Sequence, residues 1–229
     1  LAPPFPFIPA VVATLASSPI QVGAQTISAQ GGGAHTGDVS AKMIKDSGAS
    51  FCIVGHSERR LLTQADVLES SGALSGETDG VIRAQLDQAV AQGLRVIVCV
   101  GEREREADGG HFSAIEAQLR SALTKLPKTA VGKIIIVYEP VWAIGKEAAE
   151  AMQPSDVEEM QIFIKKTIAE ILDRRSALRI PILYGGSVDI SNVRALIESG
   201  GVSGFLVGRA SAHVESFLEI IKAVRLPSR

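Results

Sequence analysis

Four consecutive β-branched residues, Ile134-Ile135-Ile136-Val137, lead into the segment Tyr138-Glu139-Pro140-Val141-Trp142-Ala143-Ile144-Gly145. A short apolar run of this kind predicts a strand that is buried on both faces of a parallel sheet. Glu139 lies where the run ends, and an apolar loop follows. A carboxylate at the end of a buried strand, beside a loop that can exclude water, has the setting of a general base. A surface loop whose tryptophan packs on the core explains this segment alone equally well.

Strand and helix patterns alternate along the whole chain, and this order predicts a parallel sheet with right-handed crossovers. After a remnant at residues 1–4, strand patterns occupy residues 21–25, 50–55, 94–100, 133–138, 180–184 and 202–207. An eight-stranded barrel of this kind has about 250 residues, so one more strand and helix are expected before Leu1. We predict an α/β fold, a (β/α)8 barrel in one domain over residues 1–229, with its first strand and helix absent from this sequence. The alternative is an open doubly wound sheet, but no glycine-rich dinucleotide motif follows an early strand.

The composition is typical of a globular domain, with 46% hydrophobic residues, 21% charged residues and a formal net charge of -2. The near-neutral charge gives no support for nucleic-acid binding, and no run of apolar residues is long enough to predict a membrane span. Cys52 and Cys99 lie in apolar strand patterns, which favours buried free thiols in a reducing compartment. No signal peptide is visible, so we expect a cytoplasmic protein.

Polar residues follow several of the predicted strands, at points that share one rim of a parallel barrel, where active sites are built. His56 follows one buried strand and precedes Ser57, a candidate N-cap. The partial positive charge of a helix N-terminus disfavours imidazolium, so a neutral imidazole could donate a hydrogen bond to a substrate oxygen. A structural role is the commoner alternative for a single histidine.

Two glycine turns, Gly185-Gly186-Ser187 and Gly208-Arg209, follow the last two predicted strands. Glycines allow backbone N–H groups to converge on an anion, and these loops are a frequent phosphate site in barrels. Two simple tight turns are the alternative. Glu102 begins a run of alternating charge that is typical of a solvated helix face, although Glu102 itself is placed to support a neighbour on the rim.

Three motifs resemble the triosephosphate isomerase family: Gly55-His56-Ser57-Glu58-Arg59-Arg60, Tyr138 to Gly145 as quoted above, and Tyr184-Gly185-Gly186-Ser187-Val188. Gly204-Phe205-Leu206-Val207-Gly208 agrees as well, and the matching segments run in the family's order from Leu1 to the last helix. The resemblance implies a TIM barrel enzyme of glycolysis and gluconeogenesis. Such an enzyme interconverts dihydroxyacetone phosphate and glyceraldehyde 3-phosphate without cofactor or metal, usually as a homodimer.

The resemblance also implies a role for individual residues. Glu139 corresponds to the base that moves a proton between two carbons, and His56 to the neutral electrophile, a pairing described for triosephosphate isomerase itself. Thr36 corresponds to a residue that reaches into a partner subunit. Ser57 and Glu102 correspond to supporting residues. The lid and the phosphate site are implied at Ile144, Gly145, Gly186, Ser187, Gly208 and Arg209.

This sequence departs from the family pattern at several points. The family's first strand ends in an asparagine and a catalytic lysine, and we expect these in a segment before Leu1. The lid from Gly145 to Pro154 is slightly longer and lacks the usual second glycine, while Arg209 replaces a glycine found in many members. Residues 61–80 are also longer, and Thr63-Gln64-Ala65 replace a typical interface acid. Two alternatives therefore stay open: an isomerase of a longer ketose phosphate such as tetrulose phosphate, and a non-catalytic barrel that lacks the lysine.

Overall fold

The computed structural model describes residues 1–61, 76–105, 109–145 and 152–224 of the chain. Contacts between residues divide the chain into two units. Unit 1 contains Leu1–Cys99 and Arg120–Ile135, and unit 2 contains Val100–Leu119 and Ile136–Arg229. The single domain over residues 1–229 stays a prediction.

Unit 1 alternates short strands and helices, as the sequence predicts. Helices α1 to α4 span Ile8–Thr14, Ala41–Asp46, Ser57–Leu61 and Asp79–Ala91, and 3-10 helices span Phe5–Phe7 and Lys128–Lys133. The strands are β1 (Gly23–Ala24), β2 (Phe51–Val54) and β3 (Arg95–Val100), whose last residue belongs to unit 2. β1 pairs with β2 and β2 with β3, both in parallel, so the predicted strand direction is confirmed here.

Two hydroxyl caps set the helix starts in unit 1. The hydroxyl of Ser40 accepts the N–H of Met43 at the start of α2, and that of Thr78 accepts the N–H of Val81 at the start of α4. Each cap satisfies a backbone donor that the first helical turn leaves without a partner. The chain therefore turns from loop to helix at defined residues.

Unit 2 follows the same order of strand and helix. Helix α5 (Gly110–Leu123) and strand β4 (Ile134–Tyr138) each belong partly to unit 1 and partly to unit 2. They are followed by α6 (Pro154–Ile171), α7 (Arg174–Arg179), β5 (Ile182–Tyr184), α8 (Val193–Ser199) and α9 (Val214–Val224). Short 3-10 helices span Val141–Ala143 and Arg209–Ala212. β4 and β5 pair in parallel with Tyr138 opposite Tyr184.

Two details of unit 2 differ from the sequence prediction. The strand expected over residues 202–207 pairs with β5, since Ser203 donates to the carbonyl oxygen of Ile182 and Leu206 to that of Tyr184, both at 2.9 Å. Its only regular bridge joins Phe205 to Tyr184. Gly204, within this segment, adopts a φ angle of +154°, a backbone conformation that favours glycine, and its carbonyl oxygen accepts the N–H of Tyr184 at 3.0 Å. In addition, Asp173 accepts the N–H of Ser176 and starts α7, a separate helix that the sequence did not predict.

Both cysteines are buried free thiols, as the sequence predicts. Burial raises the pKa of the Cys52 thiol to about 12, so this side chain stays protonated and unreactive near neutral pH. Among the described residues, no helix combines the length and apolar character that crossing a membrane requires.

A glycine is required directly after β3. A Cβ atom at Gly101 would lie 1.7 Å from the carbonyl oxygen of Glu139, a backbone atom that cannot move aside alone. We expect Gly101→Ala to lower the free energy of unfolding by about 3 kcal/mol through overpacking. Urea denaturation measures this loss. Gly32→Ala is the control, since a Cβ atom there would meet nothing within 4 Å; equal stability of the two variants would contradict the prediction.

Candidate active site

Glu139 lies directly after β4 and is 2% exposed. Its N–H donates to the carbonyl oxygen of Val100 at 2.8 Å, which fixes the end of the strand. The backbone of Gly185 approaches the side chain: a Cβ atom at that residue would lie 2.8 Å from Glu139 Cγ and 3.3 Å from Oε1. A glycine there therefore leaves room for the carboxylate. A carboxylate shielded from bulk water at a strand end is suited to proton transfer.

A second buried carboxylate, Glu102, connects the residues on either side of Glu139. Glu102 is 2% exposed, and its Oε1 accepts hydrogen bonds from the hydroxyl of Tyr138 at 2.9 Å and from the indole of Trp142 at 2.7 Å. Its carbonyl oxygen accepts the N–H of Val141 at 3.0 Å. Glu102 thus holds the end of β4 and the loop after it, which supports its predicted role as a neighbour of the base.

The loop after β4 carries residues predicted for the lid. The hydroxyl of Ser187, which follows β5, donates to the carbonyl oxygen of Ala143 at 3.0 Å. Ile144 is 40% exposed, and Gly145 adopts a φ angle of +81°, a left-handed conformation that favours glycine. The lid differences predicted from the sequence fall on residues 146–151, which lie outside the described part of the chain.

The second predicted phosphate turn contacts this loop through Arg209. The N–H and hydroxyl of Ser211 both donate to the carbonyl oxygen of Gly208, at 2.8 and 2.7 Å, and close the turn. A Cβ atom at Gly145 would lie 3.4 Å from Arg209 Nη2, so the guanidinium lies against that glycine. The structure therefore places the predicted phosphate residues Gly145 and Arg209 side by side.

The first phosphate turn depends on a close approach to Tyr184. A Cβ atom at Gly186 would lie 2.3 Å from the Tyr184 hydroxyl oxygen, so the turn accepts no side chain at this position. The role of this tyrosine was missed by the sequence reasoning. The signal available was its place at the end of a short apolar strand directly before two glycines.

His56 lies in unit 1, after β2. Its carbonyl oxygen accepts the N–H groups of Arg59 and Arg60, so His56 itself, rather than Ser57, is the N-cap of α3. The N–H of Glu58 donates to His56 Nδ1 at 3.3 Å. An Nδ1 that accepts a hydrogen bond carries no proton, and the proton of a neutral ring is then on Nε2. Ser57 is the first residue of the helix and is 2% exposed.

The Glu58 carboxylate also lies 3.9 Å from His56 Nδ1, an ion pair that requires a protonated ring. The two contacts need opposite protonation states of Nδ1. The carboxylate side chain is 87% exposed, so solvent screens its charge, and the Glu58 N–H is the closer of the two groups to Nδ1. With Nδ1 accepting that N–H, a neutral ring carries its proton on Nε2.

Arg60 fixes the peptide before His56. Its Nε donates to the carbonyl oxygen of Gly55 at 2.8 Å and its Nη2 to that of Cys99 at 3.2 Å, while Nη1 pairs with Asp79 at 2.6 Å. Arg60 thus forms an ion pair with a residue that is distant in sequence.

Arg59 pairs with Glu77, whose backbone N–H also donates to the Arg59 carbonyl oxygen at 3.0 Å. The partners of both arginines were missed because a long segment separates them in sequence. The expected replacement of an interface acid at residues 63–65 lies outside the described residues.

Thr36 lies in an exposed loop of unit 1, in which the hydroxyl of Ser28 donates to Asp38 at 2.6 Å. Its predicted contact with a partner subunit stays a prediction. Over the described ranges, no group of three or more His, Cys, Asp or Glu side chains is arranged to bind a metal ion. The expectation that no cofactor or metal is needed likewise stays a prediction.

The chain has two tyrosines, and both hydroxyls are in unusual surroundings. Burial, and then the Glu102 carboxylate, raise the pKa of Tyr138 well above its ordinary value, and the same two causes raise the pKa of Tyr184. Each hydroxyl therefore stays neutral in the folded protein at a pH at which it ionises in the unfolded chain.

We therefore expect no tyrosinate absorbance from the folded protein at pH 11, while the urea-unfolded chain titrates near pH 10. The folded state binds more protons above the unfolded pKa, so the free energy of unfolding should be fully present below about pH 10 and fall as the pH rises beyond it. Ultraviolet titration and urea denaturation check both statements. A tyrosinate signal near pH 10 in protein that is still folded would show that the hydroxyls are not protected.

The chain matches known proteins over nearly its full length. The triosephosphate isomerase family profile matches residues 1–224. The triosephosphate isomerase of Chloroflexus aurantiacus is 40% identical over 220 residues, which cover 96% of this chain and 82% of that protein. That of Chlamydia trachomatis serovar D is 39% identical over 226 residues, or 98% of this chain and 77% of that protein.

Solved structures agree with these relatives. The crystal structure of triosephosphate isomerase from Bartonella henselae superimposes with a TM-score of 0.81 at 33% sequence identity, covering 98% of this chain and 86% of that one. The predicted α/β class and TIM barrel fold are thereby confirmed. The chain belongs to the triosephosphate isomerase family.

Proposed function

We propose that this chain is a triosephosphate isomerase, an intramolecular aldose–ketose isomerase that interconverts dihydroxyacetone phosphate and D-glyceraldehyde 3-phosphate through an enediolate. The observation that carries the proposal is the setting of Glu139, a buried carboxylate at the end of β4. The glycine turn after β5 leaves room for it, and the hydrogen bonds of Glu102 hold its neighbours. Family membership supports the same reaction.

In this proposal Glu139 removes a proton from the carbon next to the carbonyl group and returns it to the other carbon. The role fits a carboxylate that is shielded from water and fixed by the backbone on both sides. Glu102 acts as a supporting residue, because it holds Tyr138 and Trp142 and thereby the chain before and after the base.

His56 acts in the proposal as the electrophile. A ring whose Nδ1 accepts the Glu58 N–H presents its proton on Nε2, and this N–H stabilises the negative charge that develops on a substrate oxygen. Ser57 supports it as the buried first residue of α3.

The phosphate group binds in the proposal to the backbone N–H groups of Gly145, Gly186, Ser187, Gly208 and Arg209. Ser187 is joined to the loop after β4 through Ala143, and Arg209 lies against Gly145. Ile144 and Gly145 begin the lid that shields the enediolate from water. Gly145 would be the hinge of that lid. Its backbone is left-handed, a conformation that other residues rarely adopt.

The base is tested by Glu139→Gln, which keeps the shape of the side chain and removes its ability to accept the proton. We expect kcat for D-glyceraldehyde 3-phosphate to fall about 10³-fold with the fold intact, because general-base catalysis is lost. Glu158→Gln, at an exposed position on α6, is the matched control and should keep full turnover. A coupled spectrophotometric assay measures both variants.

Three results would contradict the proposal. Full turnover by Glu139→Gln would show that Glu139 is not the catalytic base. Preferred turnover of a four-carbon ketose phosphate would favour a tetrulose phosphate isomerase, the alternative that Arg209 and the lid sequence keep open. No turnover of either substrate by the wild-type protein would leave a non-catalytic barrel.

We also propose that the enzyme is a cytoplasmic homodimer of glycolysis and gluconeogenesis, in which the exposed loop around Thr36 enters the partner. Thr36→Arg should weaken the dimer at least about thirtyfold, because a long charged side chain would have to be buried in the interface. Thr129→Arg, at another exposed threonine of unit 1, is the control. Sedimentation velocity over a concentration series measures the dissociation constants, and a monomeric wild-type protein would overturn this part of the proposal.

A further inference from the structure

Arg209 is the first residue of the short 3-10 helix that follows the last glycine turn, and it is exposed. Its guanidinium extends to the loop after β4. A Cβ atom at Gly145 would lie 3.4 Å from Arg209 Nη2 and 3.9 Å from Cζ, which is ordinary van der Waals contact with a planar cation. The side chain therefore lies against the residue at which the predicted lid begins.

The Arg209 charge has no acidic partner among the residues that the structure describes. Two other arginines of unit 2 differ in this respect: Arg105 pairs with Asp156 and Glu159, and Arg194 pairs with Glu198. A guanidinium without a carboxylate keeps its five N–H donors available for an anion. Its place beside a glycine turn sets it apart from a solvated surface arginine.

Gly145 lies directly beside the guanidinium. Its φ angle of +81° disfavours any side chain, and a Cβ atom would contact the cation directly. The hydroxyl of Ser187 donates a hydrogen bond to the carbonyl oxygen of Ala143, which precedes Gly145 by two residues. It adds a polar atom beside the same loop. The loop and the turn together thus present a cation, a hydroxyl and a glycine backbone.

We propose that the Arg209 guanidinium itself binds the phosphate group of the substrate, in addition to the backbone N–H groups assigned above. This inference rests on the proposed function and deepens it. Arginine is matched in geometry and charge to a phosphate monoester dianion, with which it forms two parallel hydrogen bonds. The charge of the side chain therefore makes this enzyme selective for the phosphate dianion. A glycine at this position would offer the phosphate only its backbone N–H.

The contribution is to binding rather than to proton transfer, so it should appear in KM and in the inhibition constant of inorganic phosphate. We expect Arg209→Gln to raise KM and the inhibition constant about tenfold, which is the scale of one lost charged hydrogen bond. Its kcat should stay within about threefold of the wild-type value. Arg209→Lys should recover part of the loss, because lysine keeps the charge but not the planar donor pair. The substrate is D-glyceraldehyde 3-phosphate.

Arg175→Gln is the matched control. Arg175 is an exposed arginine of α7, the helix that leads into the amino end of β5, and it has no ion pair among the described residues. Its loss changes the net charge equally, and its KM should equal that of the wild type. The KM of the wild type should also rise more steeply with ionic strength than that of Arg209→Gln. Circular dichroism and thermal melting establish that each variant is folded.

Two results would overturn the inference. Unchanged KM and phosphate inhibition in Arg209→Gln would leave binding to the backbone alone, and lower values would mean that the guanidinium obstructs the site. The wild-type assay separates this failure from failure of the proposed function. Without any isomerase turnover, calorimetric titration of inorganic phosphate into the wild type and Arg209→Gln still decides whether the guanidinium binds the anion.

Discussion

The buried carboxylate of Glu102 is the contact on which the site in unit 2 depends. One oxygen accepts two hydrogen bonds, from residues placed before and after Glu139 in sequence. Removing that acceptor would leave the buried Tyr138 hydroxyl and the half-buried Trp142 indole without this partner, which costs more than the bonds contribute on their own. Glu139, the proposed base, is therefore held indirectly, by the side chain of a neighbouring residue.

Close approaches of the backbone impose a second constraint. Gly101, Gly185 and Gly186 each lie where a Cβ atom would collide with a neighbouring strand end or with Tyr184. These glycines let three segments meet within van der Waals distance around one carboxylate. Without side chains at these glycines, the turns after the parallel strands can approach one another, and polar groups at the strand ends come together.

The strands and the positions of the candidate site residues at their ends could be predicted from local sequence patterns. The run from Ile134 to Tyr138 predicted a buried strand ending at Glu139, because β-branched residues and a following proline act over a few residues. Contacts between distant segments could not be predicted in this way. The pairing of Arg60 with Asp79 and the contact of Arg209 with Gly145 depend on tertiary packing, and no local pattern encodes them. The segment over residues 202–207 pairs in parallel with β5 as expected, but only as an irregular strand with a single regular bridge.

The two arginine pairs of unit 1 also affect how this region can evolve. Arg59 and Arg60 precede a long segment, and their partners Glu77 and Asp79 follow it, so the ends of the segment are joined by side chains and by a backbone hydrogen bond. Once the ends are joined, the entropy of loop closure grows only slowly with length. Insertions and deletions between the two anchors should therefore be tolerated by natural selection, because they leave helix α3 and its N-cap His56 in place.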